Sequence, residues 1–308
     1  MPFKDPTFEA VEIGETFGPV TVEMDEHYLK NAMFAVDDFG SWYLEGDPAV
    51  GGRIVPSTAV ARDLVALFLT KYDANRVVGL HQKEEVWFKS PIPFGTRLIY
   101  TGKYVDKYHK RGKGYVVFDC EARDESGQLF VRQVSTEIMR IPEQVELGSG
   151  SARPSEGQVK GEWPTDRKPV EKAHTSIEPG TPIATLTKRA YQDQMSVFSG
   201  ANKQWHNIHT DDNVARAAGF RDTLAQGMTE TCWTSEMLTN FFGPSWLSTG
   251  WIKMIYLKPV YRDDIITCFG VVTGHEEAEG IDRVQLEIWC ANQDGEMTAA
   301  GWASGSLG

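Results

Sequence analysis

The densest group of side chains able to do chemistry lies in residues 198–211 of the 308-residue chain. It contains His206 and His209, preceded by Gln204. An imidazole exchanges protons near neutral pH, which suits a positioned histidine to general acid–base catalysis. A glutamine amide can hold a water or a carbonyl group but cannot exchange a proton at neutral pH. The segment predicts acid–base chemistry centred on His209, with Gln204 and His206 as its candidate catalytic partners.

A metal site is the other chemistry that two nearby histidines suggest, especially with Asp211 close behind them. However, the sequence offers no third ligand at a recognised spacing such as His-Glu-x-x-His. We therefore expect no metal. The simpler role for Asp211 or Thr210 is to cap a short helix over residues 212–218, because either side chain can accept the first free backbone N–H groups.

The elements that must position these residues follow from an internal repeat. Residues 88–92 align with residues 256–260, and residues 124–127 align with residues 292–295 at the same spacing. Self-similarity at a fixed offset indicates two copies of one structural unit. Each copy has the same predicted order, which is a short strand, a helical entry, an irregular loop, one long apolar helix and a group of strands.

The long apolar helices are expected over about residues 58–72 and 228–242, and the second should end at Gly243 and Pro244. The clearest strands are rich in β-branched and aromatic residues or alternate in polarity, and they cover residues 116–118, 131–139, 284–289 and 297–304. Gly127 and Gly295 mark hairpin turns. One helix wrapped by an antiparallel sheet in each half is the hot-dog arrangement. The predicted fold class is therefore α+β, a double hot-dog of two tandem halves.

The domain organisation follows from a change in composition between the two copies. Residues 148–171 are rich in Gly, Ser, Pro and charge, which is typical of a linker. We therefore expect a first half over residues 1–147 and a second half over residues 172–308. The linker is long enough for the halves to pack side by side, so that their edge strands join and cover exposed hydrogen-bonding groups.

Most of the second half resembles the MaoC-like, or R-specific enoyl-CoA hydratase (hydratase 2), family, and the repeat carries a looser resemblance through the first half. Ile208, His209 and Ala215 fit the family signature, and residues 224–228 resemble its next segment. The resemblance implies addition or loss of water at an enoyl or 3-hydroxyacyl thioester, with His209 as the base. It also places Gly227 where a backbone N–H meets the thioester oxygen at the start of the central helix. Gly227 has a second interpretation, as a turn residue that needs a positive φ angle.

The resemblance further suggests substrate contacts and a role for the first half. Asn207 and Trp205 are the candidate substrate-binding residues beside Gly227. Residues 51–58 are the first-half counterpart of the region around Gly227, and Pro56 there lacks an N–H donor. The first half also has no His at the place equivalent to His209. By resemblance, such a degenerate half widens the acyl pocket for a bulky or branched group. The substrate is expected to be an acyl-CoA or acyl-carrier thioester, with no cofactor beyond CoA as part of the substrate.

One departure from the family pattern leaves the mechanism open. The family's catalytic Asp falls on Gln204 when the sequences are aligned on His209, and on Ala201 when they are aligned on residues 199–200. In the first of three hypotheses, which we prefer, His209 acts alone or with His206 while Gln204 orients the water. The second borrows a carboxylate from elsewhere, such as Asp37, Asp38 or Asp193. The third makes the chain a hot-dog acyl-CoA thioesterase or a non-catalytic partner subunit that binds acyl thioesters.

Composition bears on partners and location. The formal net charge of −12 disfavours nucleic acid and anionic membranes as partners. The basic stretch at residues 103–113 is interpreted as a solvated hairpin tip.

Four scattered cysteines without a C-x-x-C pair are expected to be buried free thiols. No secretory signal is recognisable at the N-terminus, so a cytoplasmic location is expected. Assembly of fused units into a homo-oligomer stays open.

Overall fold

The computed structural model describes residues 3–77, 79–140, 157–200, 206–278 and 280–307. The strands within these ranges are β1 (Thr16–Glu23), β2 (Ile54–Val55), β3 (Leu80–Phe88), β4 (Ile92–Pro93), β5 (Arg97–Lys110), β6 (Lys113–Asp124), β7 (Leu129–Met139), β8 (Leu186–Arg189), β9 (Trp251–Tyr256), β10 (Ile265–Ala278), β11 (Ile281–Ala291) and β12 (Met297–Ser306). The α-helices are α1 (Glu26–Val36), α2 (Ser41–Leu44), α3 (Ser57–Ala66), α4 (Gln192–Phe198), α5 (Asp212–Ala217), α6 (Gly227–Phe242) and α7 (Trp246–Thr249). Short 3-10 turns cover Pro48–Val50, Leu67–Thr70, Ala74–Arg76 and Gly243–Ser245.

Local sequence patterns account for most of these elements. Strand β6 alternates between buried and more exposed residues along almost its whole length, as a strand with one face on a core must. The β6–β7 and β11–β12 hairpins turn at Gly127 and Gly295, whose φ angles of 88° and 76° favour glycine. The four predicted strand segments all fall within β6, β7, β11 and β12. These predictions are confirmed.

The strands of the two halves form a single sheet. Within the described residues it has ten strands in the order β1-β5-β6-β7-β3-β9-β12-β11-β10-β8. The first half contributes one side of this order and the second half repeats it in reverse. The halves meet where β3 pairs antiparallel with β9, with Val86 opposite Ile252 and Trp87 opposite Trp251. The join covers one edge of each half-sheet, as predicted, and removes two rows of unpaired backbone groups.

The two long helices lie at equivalent places in the halves. Helix α6 covers the predicted range and buries most of its length against strands of both halves. It ends at Gly243, which has a φ of 67° and precedes Pro244. Helix α3 is shorter than the predicted 58–72 segment, because the chain continues from Leu67 as a 3-10 turn. Trp233 of α6 donates from Nε1 to the Val36 carbonyl at 3.0 Å, which ties α6 to α1 of the other half.

Part of the segment predicted as a linker packs on the second half. Residues 141–156 lie outside the described part of the chain. Beyond them, Val159 is buried against Trp289 and Ala300 on a face of the second half-sheet. Val170 donates its backbone N–H to Pro182 at 3.0 Å. These contacts place residues before 172 against the second half, whereas the boundaries 1–147, 148–171 and 172–308 stay a prediction.

Two further expectations concern the thiols and the basic stretch. All four cysteines are free and buried, as predicted. The basic stretch lies at the tip of the β5–β6 hairpin, where Arg111 and Gly112 form the turn. Among the described residues, no helix has the length and apolar character needed to cross a membrane.

Candidate active site

A cavity of about 620 Å³ lies between the two halves. Helix α3 with strands β3 and β7 forms its first-half wall. The start of helix α6, the end of strand β9 and the loop before α5 form its second-half wall. Apolar side chains such as Met228 and Val260 line it together with a few titratable groups, among them His209. The fusion of the halves therefore creates the cavity.

His209 is held in one orientation in the cavity wall. Its Nδ1 lies 2.7 Å from the backbone carbonyl oxygen of Leu224. A carbonyl can only accept, so Nδ1 carries the ring proton and Nε2 is left as the unprotonated nitrogen. Burial lowers the pKa of His209 to about 4, which keeps the ring neutral at physiological pH. The arrangement provides a neutral imidazole with one nitrogen available to accept a proton.

The backbone around His209 is fixed by side chains of its own half. The His209 N–H donates to Asn207 Oδ1 at 2.9 Å, and the His209 carbonyl accepts from Gln192 Nε2 at 2.9 Å. Gln192 is held in turn by the Thr223 hydroxyl, which donates to Oε1 at 2.6 Å. This network gives Asn207 and Gln192 a positioning role for the imidazole.

Gly227 is the first residue of helix α6, and its N–H has no partner within the helix. A Cβ at Gly227 would lie 2.7–2.8 Å from ring atoms of Tyr256. Tyr256 cannot easily move, because its hydroxyl bonds to Thr231 at 2.7 Å and to Glu84 at 2.9 Å. Gly227 has no positive φ, so the turn interpretation is wrong for this residue. Close packing against Tyr256 is the reason for glycine.

The other predicted site residues are placed differently. Asn207 lines the cavity. His206 does not line it, since its side chain is 68% exposed and its Nδ1 lies 3.2 Å from Asp211. Gln204 and Trp205 lie outside the described residues. Asp211 caps α5 as predicted, because its carboxylate accepts the N–H groups of Asn213 and Val214. Of the predicted site, the structure thus brings together His209, Asn207 and Gly227.

The carboxyl groups suggested to replace the family's Asp do not lie on the cavity. Asp37, Asp38 and Asp193 are absent from its described lining. Glu230 does line it, one turn after Gly227 on the same helix, and is 2% exposed. The Thr298 hydroxyl donates to Glu230 Oε1 at 2.5 Å. Burial raises the pKa of Glu230 to about 8, so this carboxyl is largely protonated at neutral pH.

Sequence reasoning missed Glu230, although one signal pointed to it. A glutamate three positions after a glycine at the start of a helix lies on the same helical face as that glycine. The flanking apolar residues Met228 and Trp233 mark the helix as buried. A carboxyl group in such a helix is unusual and deserves a functional interpretation.

A second titratable cluster comes from the first half. His81 of β3 and Glu137 of β7 line the cavity, with Glu84 buried beside them. Burial lowers the pKa of His81 to about 4 and raises the pKa of Glu137 to about 8. Within the described ranges, no group of three or more His, Cys, Asp or Glu side chains has the arrangement of a metal site.

Two sequence comparisons found similarity to known proteins. The sequence profile of the MaoC like domain family matches residues 168–292. The peroxisomal multifunctional enzyme type 2 of Drosophila melanogaster is 25% identical over 149 residues, which are 48% of this chain and 22% of that enzyme. The matched region thus spans about a fifth of the curated relative's length.

Solved structures share the fold. A MaoC-like dehydratase superposes with a TM-score of 0.74 at 16% identity, covering 98% of this chain and 99% of the other. A Mycobacterium tuberculosis protein with a double hot-dog fold superposes with a TM-score of 0.66 at 13% identity, covering 98% of both chains. The predicted double hot-dog fold and the MaoC-like resemblance are confirmed. Residues 168–292, which match the MaoC like domain family profile, carry His209 and Gly227, and the whole chain has the double hot-dog fold.

Proposed function

We propose that the chain is a hydratase or dehydratase that adds or removes water at an enoyl or 3-hydroxyacyl thioester. The observation that carries the proposal is the His209 imidazole, whose Nδ1 is tied to Leu224 at 2.7 Å so that Nε2 is the basic nitrogen. Gly227 lies on the same cavity wall with a helix N-terminal N–H suited to a thioester oxygen. The MaoC-like domain supports this class of reaction, and water addition itself requires no metal or redox cofactor.

In the hydration direction, His209 Nε2 removes a proton from water as the oxygen attacks C3 of the enoyl group. The electron pair of the double bond shifts toward C2 and the thioester oxygen, where the Gly227 N–H stabilises the developing negative charge. Glu230 then donates its proton to C2. The protonated His209 and the Glu230 carboxylate return to their starting states through solvent. Glu230 thus takes the part that the family gives to its Asp.

Replacement of His209 tests this proposal. We expect His209→Ala to lower the rate of hydration of enoyl-CoA thioesters, followed as loss of conjugated absorbance, by on the order of a hundredfold or more. His27→Ala is the matched control, because His27 is an exposed residue of α1 that bonds to Asn31. His206→Ala separates the two histidine mechanisms, since an equally large loss there would restore His206 as the partner of His209.

A thioesterase is the second candidate, and Glu230 is the observation that favours it. A carboxyl one turn beyond the N–H that faces the thioester oxygen is also placed to activate a hydrolytic water. Hydrolysis releases free thiol whereas hydration does not, so thiol should be monitored with a thiol reagent in parallel. Glu230-dependent thiol release that accounts for all of the lost absorbance would move the assignment to hydrolysis, because cleavage of the thioester also ends its conjugation with the double bond.

A further inference from the structure

The first-half wall of the cavity carries a polar cluster that the proposed reaction does not use. It consists of His81, Glu84 and Glu137, which we call the His81 cluster. His81 Nε2 lies 3.8 Å from Glu84 Oε2 and 3.8 Å from Glu137 Oε1. The side chains of His81 and Glu137 are 10% and 15% exposed, and that of Glu84 is fully buried. The His81 ring also packs edge-on against Tyr256, with ring centroids 5.0 Å apart.

Two atoms of the cluster have no hydrogen-bond partner among the described residues. They are His81 Nε2 and Glu137 Oε1, which face each other. Glu84 is satisfied by contrast, because Oε1 accepts from Tyr256 and Oε2 accepts from Gln133 at 2.8 Å. A buried polar atom left unpaired destabilises the fold, because it has lost its hydrogen bonds to water. Two such atoms on a cavity wall therefore indicate that a ligand group forms hydrogen bonds with them.

The chemistry of the two atoms defines that group. The other His81 nitrogen bonds to the Lys83 backbone in a contact that raises the pKa of the ring, as a carbonyl acceptor does. His81 Nε2 is therefore an acceptor. Glu137, with a pKa of about 8, presents a protonated carboxyl that can donate. A group that both donates and accepts, such as a hydroxyl or an amide, matches the pair.

The spacing fits one bridging group. A separation of 3.8 Å is too long for a direct hydrogen bond. A single oxygen or nitrogen atom at about 2.8 Å from each end would span it. An anionic group is disfavoured, because it has no proton to donate to His81 Nε2 and because the carboxyl group of Glu84 is buried behind this wall.

We propose that the His81 cluster is a binding subsite for a neutral hydroxyl or amide group of the thioester ligand. The inference rests on the proposed function only in taking the cavity's ligand to be an acyl thioester. Two parts of such a ligand carry this chemistry, namely a hydroxyl on the acyl chain and the amides of the pantetheine arm. The subsite would give the degenerate first half a role in substrate selection.

The first arm of the test asks whether a hydroxyl on the acyl chain occupies the subsite. Binding of saturated, non-reacting acyl-CoA analogues of equal length is measured by calorimetry, with a hydroxyl, a methyl or a carboxylate at the end of the chain. If the hydroxyl occupies the subsite, the wild type should prefer it by roughly tenfold over the methyl. His81→Leu and Glu137→Leu should abolish this preference.

The second arm asks whether an amide of the pantetheine arm occupies the subsite. The same saturated acyl group is presented on CoA and on a simple alkanethiol without amides. If an amide occupies the subsite, both variants should weaken binding of the CoA ligand by roughly tenfold and leave the short thioester unchanged. Glu137→Gln keeps the size and a hydrogen-bond donor, so it should bind the CoA ligand as the wild type does, and His81→Leu carries the test if Glu137→Leu does not fold.

The control is Glu85→Gln, on the same strand, where the carboxylate pairs with Lys253 at 2.9 Å and does not line the cavity. It should leave all affinities unchanged. Unaltered affinities of the cluster variants in both arms, or a wild-type preference for the carboxylate, would overturn the subsite. Because binding is measured without turnover, failure of the hydratase proposal would appear separately, as inactive wild-type protein in the hydration assay.

Discussion

Burial shifts the pKa values of His209 and Glu230 in opposite directions. A low-dielectric environment disfavours the charged form of each, so the imidazole loses its proton more easily and the carboxyl keeps it. The resulting pKa values of about 4 and about 8 leave a base and an acid in one cavity over the intervening pH range. Pairs of titratable groups separated in this way are typical of acid–base sites.

The pH profile of hydration tests this pair. We expect kcat/KM to be lost as the pH falls through about 4, where His209 becomes protonated, and as it rises through about 8, where Glu230 loses its proton. Glu230→Gln should lower the rate by on the order of a hundredfold and remove the basic limb. The measurement is initial hydration rate against pH for both proteins.

Glu236→Gln serves as the control for Glu230→Gln. Glu236 lies on the same helix but pairs with Lys188 at 2.8 Å and does not line the cavity. The Glu236→Gln variant should show the same fall in kcat/KM above about pH 8 as the wild type. A rate that increases through pH 8 instead of falling would mean that the Glu230 carboxylate acts as a base, which is the behaviour of the thioesterase alternative.

At the scale of elements, the start of helix α6 is placed by strand β9. Tyr256 at the end of β9 packs on Gly227, and Glu84 of β3 holds the Tyr256 hydroxyl from the other half. The join between the half-sheets therefore sets the position of the Gly227 N–H. In the proposed mechanism this N–H meets the thioester oxygen, so the first half would contribute to catalysis through this contact although it has no counterpart of His209.

Gly227→Ala tests the contact. The added methyl would clash with a Tyr256 ring that is held by two hydrogen bonds, so the helix start should shift away from the thioester site. We expect a loss of stability of about 1–3 kcal/mol, typical of overpacking, measured by denaturant unfolding. We also expect a fall in kcat larger than the change in KM, because an N–H that meets developing charge acts mainly in the transition state.

Gly274→Ala is the control, since a Cβ there would meet no atom closer than 3.9 Å. It should change neither the stability nor kcat by a comparable amount. Wild-type kcat in Gly227→Ala, with its folding intact, would argue that the helix N-terminus does not bind the thioester oxygen.

At the scale of the whole molecule, the buried titratable groups lower the folding stability at both low and high pH. His81 and His209 have pKa values of about 4 in the fold against 6.5 ordinarily, so stability should fall as the pH drops through that window. Glu137 and Glu230 have pKa values of about 8 against 4.5, so their contribution is complete below 4.5 and is lost as the pH rises through 8.

Glu137→Gln tests this dependence. A pKa difference of one between folded and unfolded states corresponds to about 1.4 kcal/mol. The wild type should therefore lose at least ~2 kcal/mol relative to the variant between pH 5 and pH 8, since glutamine does not ionise. The measurement is the free energy of unfolding in denaturant at both pH values. Parallel pH dependence in the two proteins would mean that Glu137 is ionised in the fold at neutral pH.

The sequence by itself determined the features that depend on residues close together in the chain, namely the turns, the helix and strand ranges and the helix cap. Strand composition and turn glycines predicted the hairpins at Gly127 and Gly295. An apolar segment ending at Gly243 and Pro244 predicted the range of α6, and the internal repeat predicted the tandem double hot-dog order. The Asp211 cap and the candidacy of His209 also followed, because capping and signature motifs involve residues close together in the chain. Helix α3 was predicted too long, since apolar content alone does not distinguish an α-helix from the 3-10 turn that continues it.

Only the tertiary structure decided which distant groups share the cavity. Glu230 joins His209 because α6 begins beside the 206–211 loop, and the His81 cluster joins them because β3 pairs with β9 across the halves. His206, three residues from His209, points to Asp211 instead. The glycine at 227 is explained by a ring 29 positions later in the chain. Proximity in space and the pKa shifts that burial causes arise from the packing of the two halves, which no local pattern encodes.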